Sequence, residues 1–132
     1  GFKVELFAAE PMLANPVAFC VDWKNRFYVS ESHRYRTSVL DIRHYMCMLE
    51  DDLASRTVED RATMLRRNFG PQARELEIES EVIRFLEDRS GSGRADFSAV
   101  FADGFSTSLD GIAAGAIARP TKPRFTKIPQ PW

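Results

Sequence analysis

The sequence predicts a mainly β protein built from antiparallel hairpins, with one helical insertion at about residues 41–70. Three observations carry this. Short β-prone runs recur around polar turns, apolar spacing switches to a helical period only between Asp41 and Phe69, and an Arg-Phe pair opens the second strand of two separate hairpins. Repeated hairpins of this kind mark architectures in which sheets stack on one another.

The elements follow in order. Phe2 to Phe7 alternates apolar and charged residues, the pattern of a half-buried strand. Pro11 and Pro16 make the next stretch a non-helical connection. Val17–Val21 and Arg26–Ser30 flank the turn residues Asp22, Lys24 and Asn25, giving a first hairpin within residues 1–32. Asp41 is placed to cap a helix carrying Ile42, Tyr45, Met46, Leu49 and Leu53. Thr57 and Asp60 form a capping box for a second helix with Val58, Ala62, Leu65 and Phe69 on one face, stopped by Gly70-Pro71. Met64 reads as core, not as a cofactor contact.

Val82–Leu86 and Phe97–Phe101 form a second hairpin (82–101) around a Gly-rich connection, and Asp103-Gly104 is expected to end it with a tight turn. Gly111–Ala118 and Arg124–Thr126 form a third hairpin, 111–128. Four prolines after residue 119 make the 119–132 tail irregular, and its cations come without a carboxylate side chain.

Composition narrows the function classes. A formal net charge of −1 argues against a general polyanion binder, so no nucleic-acid partner is expected. Arg34-Tyr35-Arg36 puts two cations round an aromatic, but one triplet is weak evidence for single-strand binding. Acidic residues gather at 50–60 and again at Glu75, Glu77, Glu79 and Glu81. No apolar run is long enough for a membrane span, and no signal peptide is visible. Neither Cys20 nor Cys47 belongs to a CxxC or CxxCH motif, so covalent haem attachment and a cysteine-rich zinc site fall away within this chain. Two free thiols are favoured over a Cys20–Cys47 disulfide, which export would permit.

Two candidate sites remain. Asp88, Ser90, Ser92 and Asp96 take positions one, three, five and nine of a calcium-type loop, with Gly93 at six. Serines at three and five and Ala99 at twelve favour a metal-free turn over calcium. Glu31, His33, Asp41 and His44 form the one cluster able to supply an acid, a base or metal ligands, without a recognised ligand spacing.

Several strings then resemble one family in the same order: GFKVELFAAEPMLANPVAF from Gly1, RFYVSES, LEDDLASRTVEDR, RFLEDRSGSGRADFSAVFADGF and DGIAAGAIAR. They are similar to the N-terminal part of the membrane-bound dehydrogenase-like proteins of planctomycetes and verrucomicrobia. These are exported β-propellers related to soluble quinoprotein sugar dehydrogenases, many with a c-type haem module further along. The resemblance implies a periplasmic or exported location and, in the longer form, quinone- or haem-linked oxidation of sugars or alcohols. The family's loop is usually richer in Asp than Asp88–Asp96, and its haem motif is missing here.

A propeller needs about 4 to 8 blades, and the strands here make under two, so the expected fold is an incomplete β-propeller. One reading makes the chain the opening segment of a longer dehydrogenase-like propeller, not catalytic alone, with Glu31 and His33 near the central site. The alternative makes it a complete, non-catalytic interaction subunit whose open strand edges and basic tail dock on another protein. A third reading is an unrelated small α+β domain.

Overall fold

The computed structural model describes residues 1–119 and the backbone of the strand at 124–127. Its main body is an antiparallel sheet in chain order: β1 (Pro16–Val21), β2 (Phe27–Glu31), β3 (Glu81–Glu87) and β4 (Phe97–Phe105). A second pair, β5 (Ala113–Ile117) with β6 (Arg124–Lys127), follows. The rest of the basic tail, 120–123 and 128–132, lies outside the described residues.

The first hairpin forms where the sequence puts it because Asp22 builds its turn. One carboxylate oxygen accepts from the Lys24 and Arg26 amides, at 2.8 and 3.0 Å, and the other accepts from Arg26 Nε at 2.7 Å. Asn25 takes the left-handed conformation (φ 57°) that Asn tolerates well.

Between β2 and β3 the chain leaves the sheet for the whole helical insertion and then returns to pair beside β2. The second predicted helix is present as α2 (Val58–Phe69), with the reciprocal Thr57–Asp60 capping box. The first is not one helix. Asp41 does cap, accepting from the Arg43 amide, but Tyr45 (φ −134°, ψ 45°) breaks the chain into two single 3₁₀ turns before a short α1 at Leu49–Ala54. Gly70 ends α2 with φ 52°, yet Pro71 fits the first turn of a further 3₁₀ segment, Gly70–Glu77, that its stop signal obscured. Met64, Leu65 and Leu76 form the insertion's core with Leu40, Phe69 and Leu109 packed on it, so Met64 is core as expected.

Two other expectations are corrected. Phe2–Phe7 forms no ladder, and Phe2, Val4 and Leu6 are exposed, because alternation supplies a face but not a partner strand. Asp103-Gly104 does not end β4. The strand bulges opposite Ile83, with Gly104 at φ 77°, and continues to Phe105.

Register assigns the sheet's two faces. Phe19, Val29, Arg84 and Val100 are cross-strand neighbours on one, and Cys20, Tyr28, Phe85 and Ala99 on the other. The segment before β1 crosses the first face. Phe7 stacks 4.3 Å from Phe27, the Ala95 amide donates to the Phe7 carbonyl, and Ser98 Oγ donates to the Met12 carbonyl at 2.6 Å. On the second face Tyr28 meets Phe85 and Phe101 edge-on, and β5 lies against β1 and β2.

The first face is not fully covered. Along β1, Val17, Phe19 and Val21 are 51%, 64% and 42% exposed. An apolar row on the sheet's terminal strand is what a mainly β molecule ordinarily hides.

Candidate functional site

Where β2 runs out, Glu31-Ser32-His33-Arg34 turns off the sheet, and two buried charges fix that turn. Arg34 is wholly buried. Its Nη1 donates to the carbonyl of Asp110 (2.6 Å) and, at longer range, of Phe105 (3.4 Å). Nη2 donates to the carbonyls of Ser38 (2.9 Å), Leu76 (2.7 Å) and Thr107 (2.8 Å). One guanidinium thus ties the loop after β2, the end of the helical insertion and the connection after β4. Five N–H donors in a rigid fork suit this task, and an ammonium would not span it. Burial lowers the Arg34 pKa against the opposing fields of Asp110, Glu81 and Glu77.

Glu81, at the start of β3, does the complementary work. Its carboxylate accepts from the amides of His33 (3.1 Å), Arg34 (2.8 Å) and Ala113 (2.8 Å), and from Ser32 Oγ (3.2 Å). The acidic stretch at 75–81 is therefore not one solvated patch: Glu75, Glu77 and Glu79 are exposed, while Glu81 is an internal anchor. Similarly, Arg34-Tyr35-Arg36 does not present two cations round an aromatic, since Arg34 is committed inside.

The predicted pair Glu31 and His33 is brought together. Glu31 is fully buried and accepts from Arg84 Nε (3.0 Å) and Nη2 (2.9 Å) and from the Ala14 amide (3.0 Å). His33 Nε2 stands 3.5 Å from its other side. Burial pushes the Glu31 pKa up, but the bonds from Arg84, Ala14 and His33 together hold it below the ordinary value. Glu31 is built to stay ionised. It suits orienting His33 better than donating a proton. His33 is partly exposed and lines a cavity of ≈ 550 Å³ with Asn15, Val17, Tyr35, Thr37 and Ile112.

Asp41 and His44 line a different cavity. Asp41 is gripped by Arg43, whose paired N–H groups pull its pKa down to about 2, and His44 Nε2 lies 3.7 Å away. The four-residue cluster read from the sequence is thus two separate pairs.

At the Gly-rich connection, Asp88 accepts from Ser90 Oγ and from the amides of Gly91, Ser92 and Gly93. Asp96 accepts from the amides of Arg89 and Ser90. The Gly93 amide foremost lowers the Asp88 pKa, and the Arg89 amide that of Asp96. Both carboxylates already close the turn, and Ala99 offers no side-chain oxygen. The donor set fits calcium poorly. Among the described residues no group of three or more His, Cys, Asp or Glu is arranged to hold a metal.

Cys20 and Cys47 are both free thiols, so no disulfide joins them. Burial raises the Cys20 pKa, and the thiol meets the backbone of Ala118. Among the described residues, no helix is long and apolar enough to cross a membrane.

Sequence reasoning missed Arg34, Glu81 and Arg84. Each looked like one charge among several, and partners that are, Ser38 apart, 32 to 76 residues away in sequence leave no local signal.

These features define a mainly β protein: a four-stranded antiparallel sheet with a two-helix insertion, braced by buried charges where the insertion departs. The chain belongs to the family described as a domain of unknown function, DUF7133, whose model matches residues 1–119. Neither the curated proteins nor the solved structures include a match.

Proposed function

We propose that this chain supplies one blade, and the start of the next, to a dehydrogenase-like β-propeller, and that it is not catalytic alone. The observation that carries this is the state of β1. One of its faces takes β5, while the other exposes Val17, Phe19 and Val21. Four strands in chain order, with apolar side chains on both faces of β1, suit a stack of blades round a ring. The resemblance in the sequence points the same way. It further suggests an exported protein oxidising a sugar or alcohol and passing electrons to a quinone or haem held outside this chain.

In this reading the His33 cavity opens toward the substrate, and Glu31, locked by Arg84, orients the imidazole as a base. The test is turnover of sugars and alcohols by the natural polypeptide with an artificial electron-accepting dye. His33→Ala should cut kcat while leaving the fold intact, and Glu31→Gln should cut it less. Unchanged turnover in both variants would remove this pair from the mechanism.

The same exposed row supports a second reading, a non-catalytic subunit docking on another protein. Mass photometry of the natural polypeptide separates them: a stable hetero-assembly favours docking, and a monodisperse monomer counts against it.

A further inference from the structure

Residues 1–6 carry the pattern of a strand without a neighbour among the described residues. Phe2 and Val4 are almost wholly exposed, and Leu6 is 64% exposed. Within the described residues none of their backbone N–H or C=O groups is hydrogen-bonded; the first bond of the chain is the one that the Phe7 carbonyl accepts from the Ala95 amide.

The side chains are nevertheless sorted by side. Lys3 Nζ meets Glu5 Oε1 at 2.5 Å. Residues two apart do not face each other on a helix, but they share one side of an extended chain. The ion pair therefore stands opposite Phe2, Val4 and Leu6. One apolar side and one charged side, with a lysine on the latter, suit a strand at the edge of a sheet.

The place where this segment leaves the body indicates which sheet it meets. Phe7 stacks on Phe27 at 4.3 Å, and the Phe27 ring lies 6.0 Å from that of Phe19 in the exposed row of β1. Residues 1–6 thus emerge on the face that Val17, Phe19 and Val21 leave open. Packed sheets lie about 10 Å apart, and six extended residues span about 20 Å, so the segment is long enough to reach a sheet seated there.

We propose that Phe2–Leu6 adds as an edge strand to the neighbouring sheet that packs on β1, tying the two sheets together through one stretch of chain. This rests on the reading of the chain as part of a larger propeller. The backbone groups of residues 2–6 supply the pairing, and Phe2, Val4 and Leu6 supply the buried side.

The test is hydroxyl-radical footprinting and residue-resolved amide exchange of the natural polypeptide, with Phe2 and Phe19 read together. Both rings should resist oxidation. Alternate amides between Phe2 and Leu6 should exchange at least about tenfold more slowly than in a free peptide of the same residues. Val4→Asp puts a charge on the buried side and should restore free-peptide exchange over 2–6 while Phe19 stays protected; Val4→Ile should keep the protection. Phe2 oxidised as in the free peptide, with Phe19 protected, would overturn the added strand and leave the propeller reading standing. Oxidation of both rings would overturn both. Protection of 2–6 that disappears on dilution would place the strand on a second copy and overturn the pairing within one polypeptide, as would full protection in Val4→Asp.

Discussion

Replacing Arg34 by Met removes the fork that joins three parts of the chain while keeping most of the side-chain volume. Four of its five bonds are 2.9 Å or shorter, to the carbonyls of Ser38, Leu76, Thr107 and Asp110. A hydrogen bond to a charged group contributes about 1.5–3 kcal/mol net, so the gross loss is roughly 6–12 kcal/mol. Against this stands the desolvation of a fully buried guanidinium, several kcal/mol that the variant no longer bears. The difference is about 3–5 kcal/mol, a large share of the roughly 5–15 kcal/mol that holds a domain folded. With a urea slope of about 2 kcal/mol per molar, the midpoint should fall by about 2 M. Amide exchange should rise at 33–38 and 105–113, the segments the fork and Glu81 hold together. Arg34→Lys should recover less than half of the loss, because three donors on one nitrogen cannot reach carbonyls spread across three segments. A midpoint within about 0.5 M of the parent protein, or full rescue by lysine, would mean that the Arg34 fork does not hold these segments together.

Glu31→Gln should cost about 2 kcal/mol at neutral pH by weakening the Arg84 fork, read from denaturant melts. Because the folded pKa of Glu31 is below its unfolded value, its contribution is complete above about pH 4.3 and is lost as pH falls through the folded pKa. The gap between parent and variant should therefore close under acid; a gap independent of pH would contradict this. Thr57→Ala should cost about 1 kcal/mol by opening the capping box of α2, with faster amide exchange over 58–61 as the readout. Gly93→Ala should cost about 1 kcal/mol through backbone strain alone, since Gly93 sits at φ 83° with open space around its Cα. A stabilised Gly93→Ala melt would mean that the loop does not hold this conformation.

The legible parts of the fold were those written locally. Asp22 and Asn25 announce the first turn, Thr57 and Asp60 the start of α2, and the 97–101 alternation β4. What escaped was set by distant partners. Alternation at Phe2–Phe7 reads as a strand, but pairing needs a neighbour that the described residues do not provide. Tyr45 interrupts a helical spacing that continues through it, since its ring is drawn to Phe69. At the site, Glu31 and His33 were recognisable because they lie two residues apart at the end of a hairpin. Arg84, which determines the charge state of Glu31, lies 53 residues away.

The measurement that bears most directly on this account is an experimental structure of the natural polypeptide purified from its source. A neighbouring β-sheet should be seated on Val17, Phe19 and Val21, on the side of the four-stranded sheet away from β5. Solvent over those three side chains in an otherwise folded monomer would contradict it.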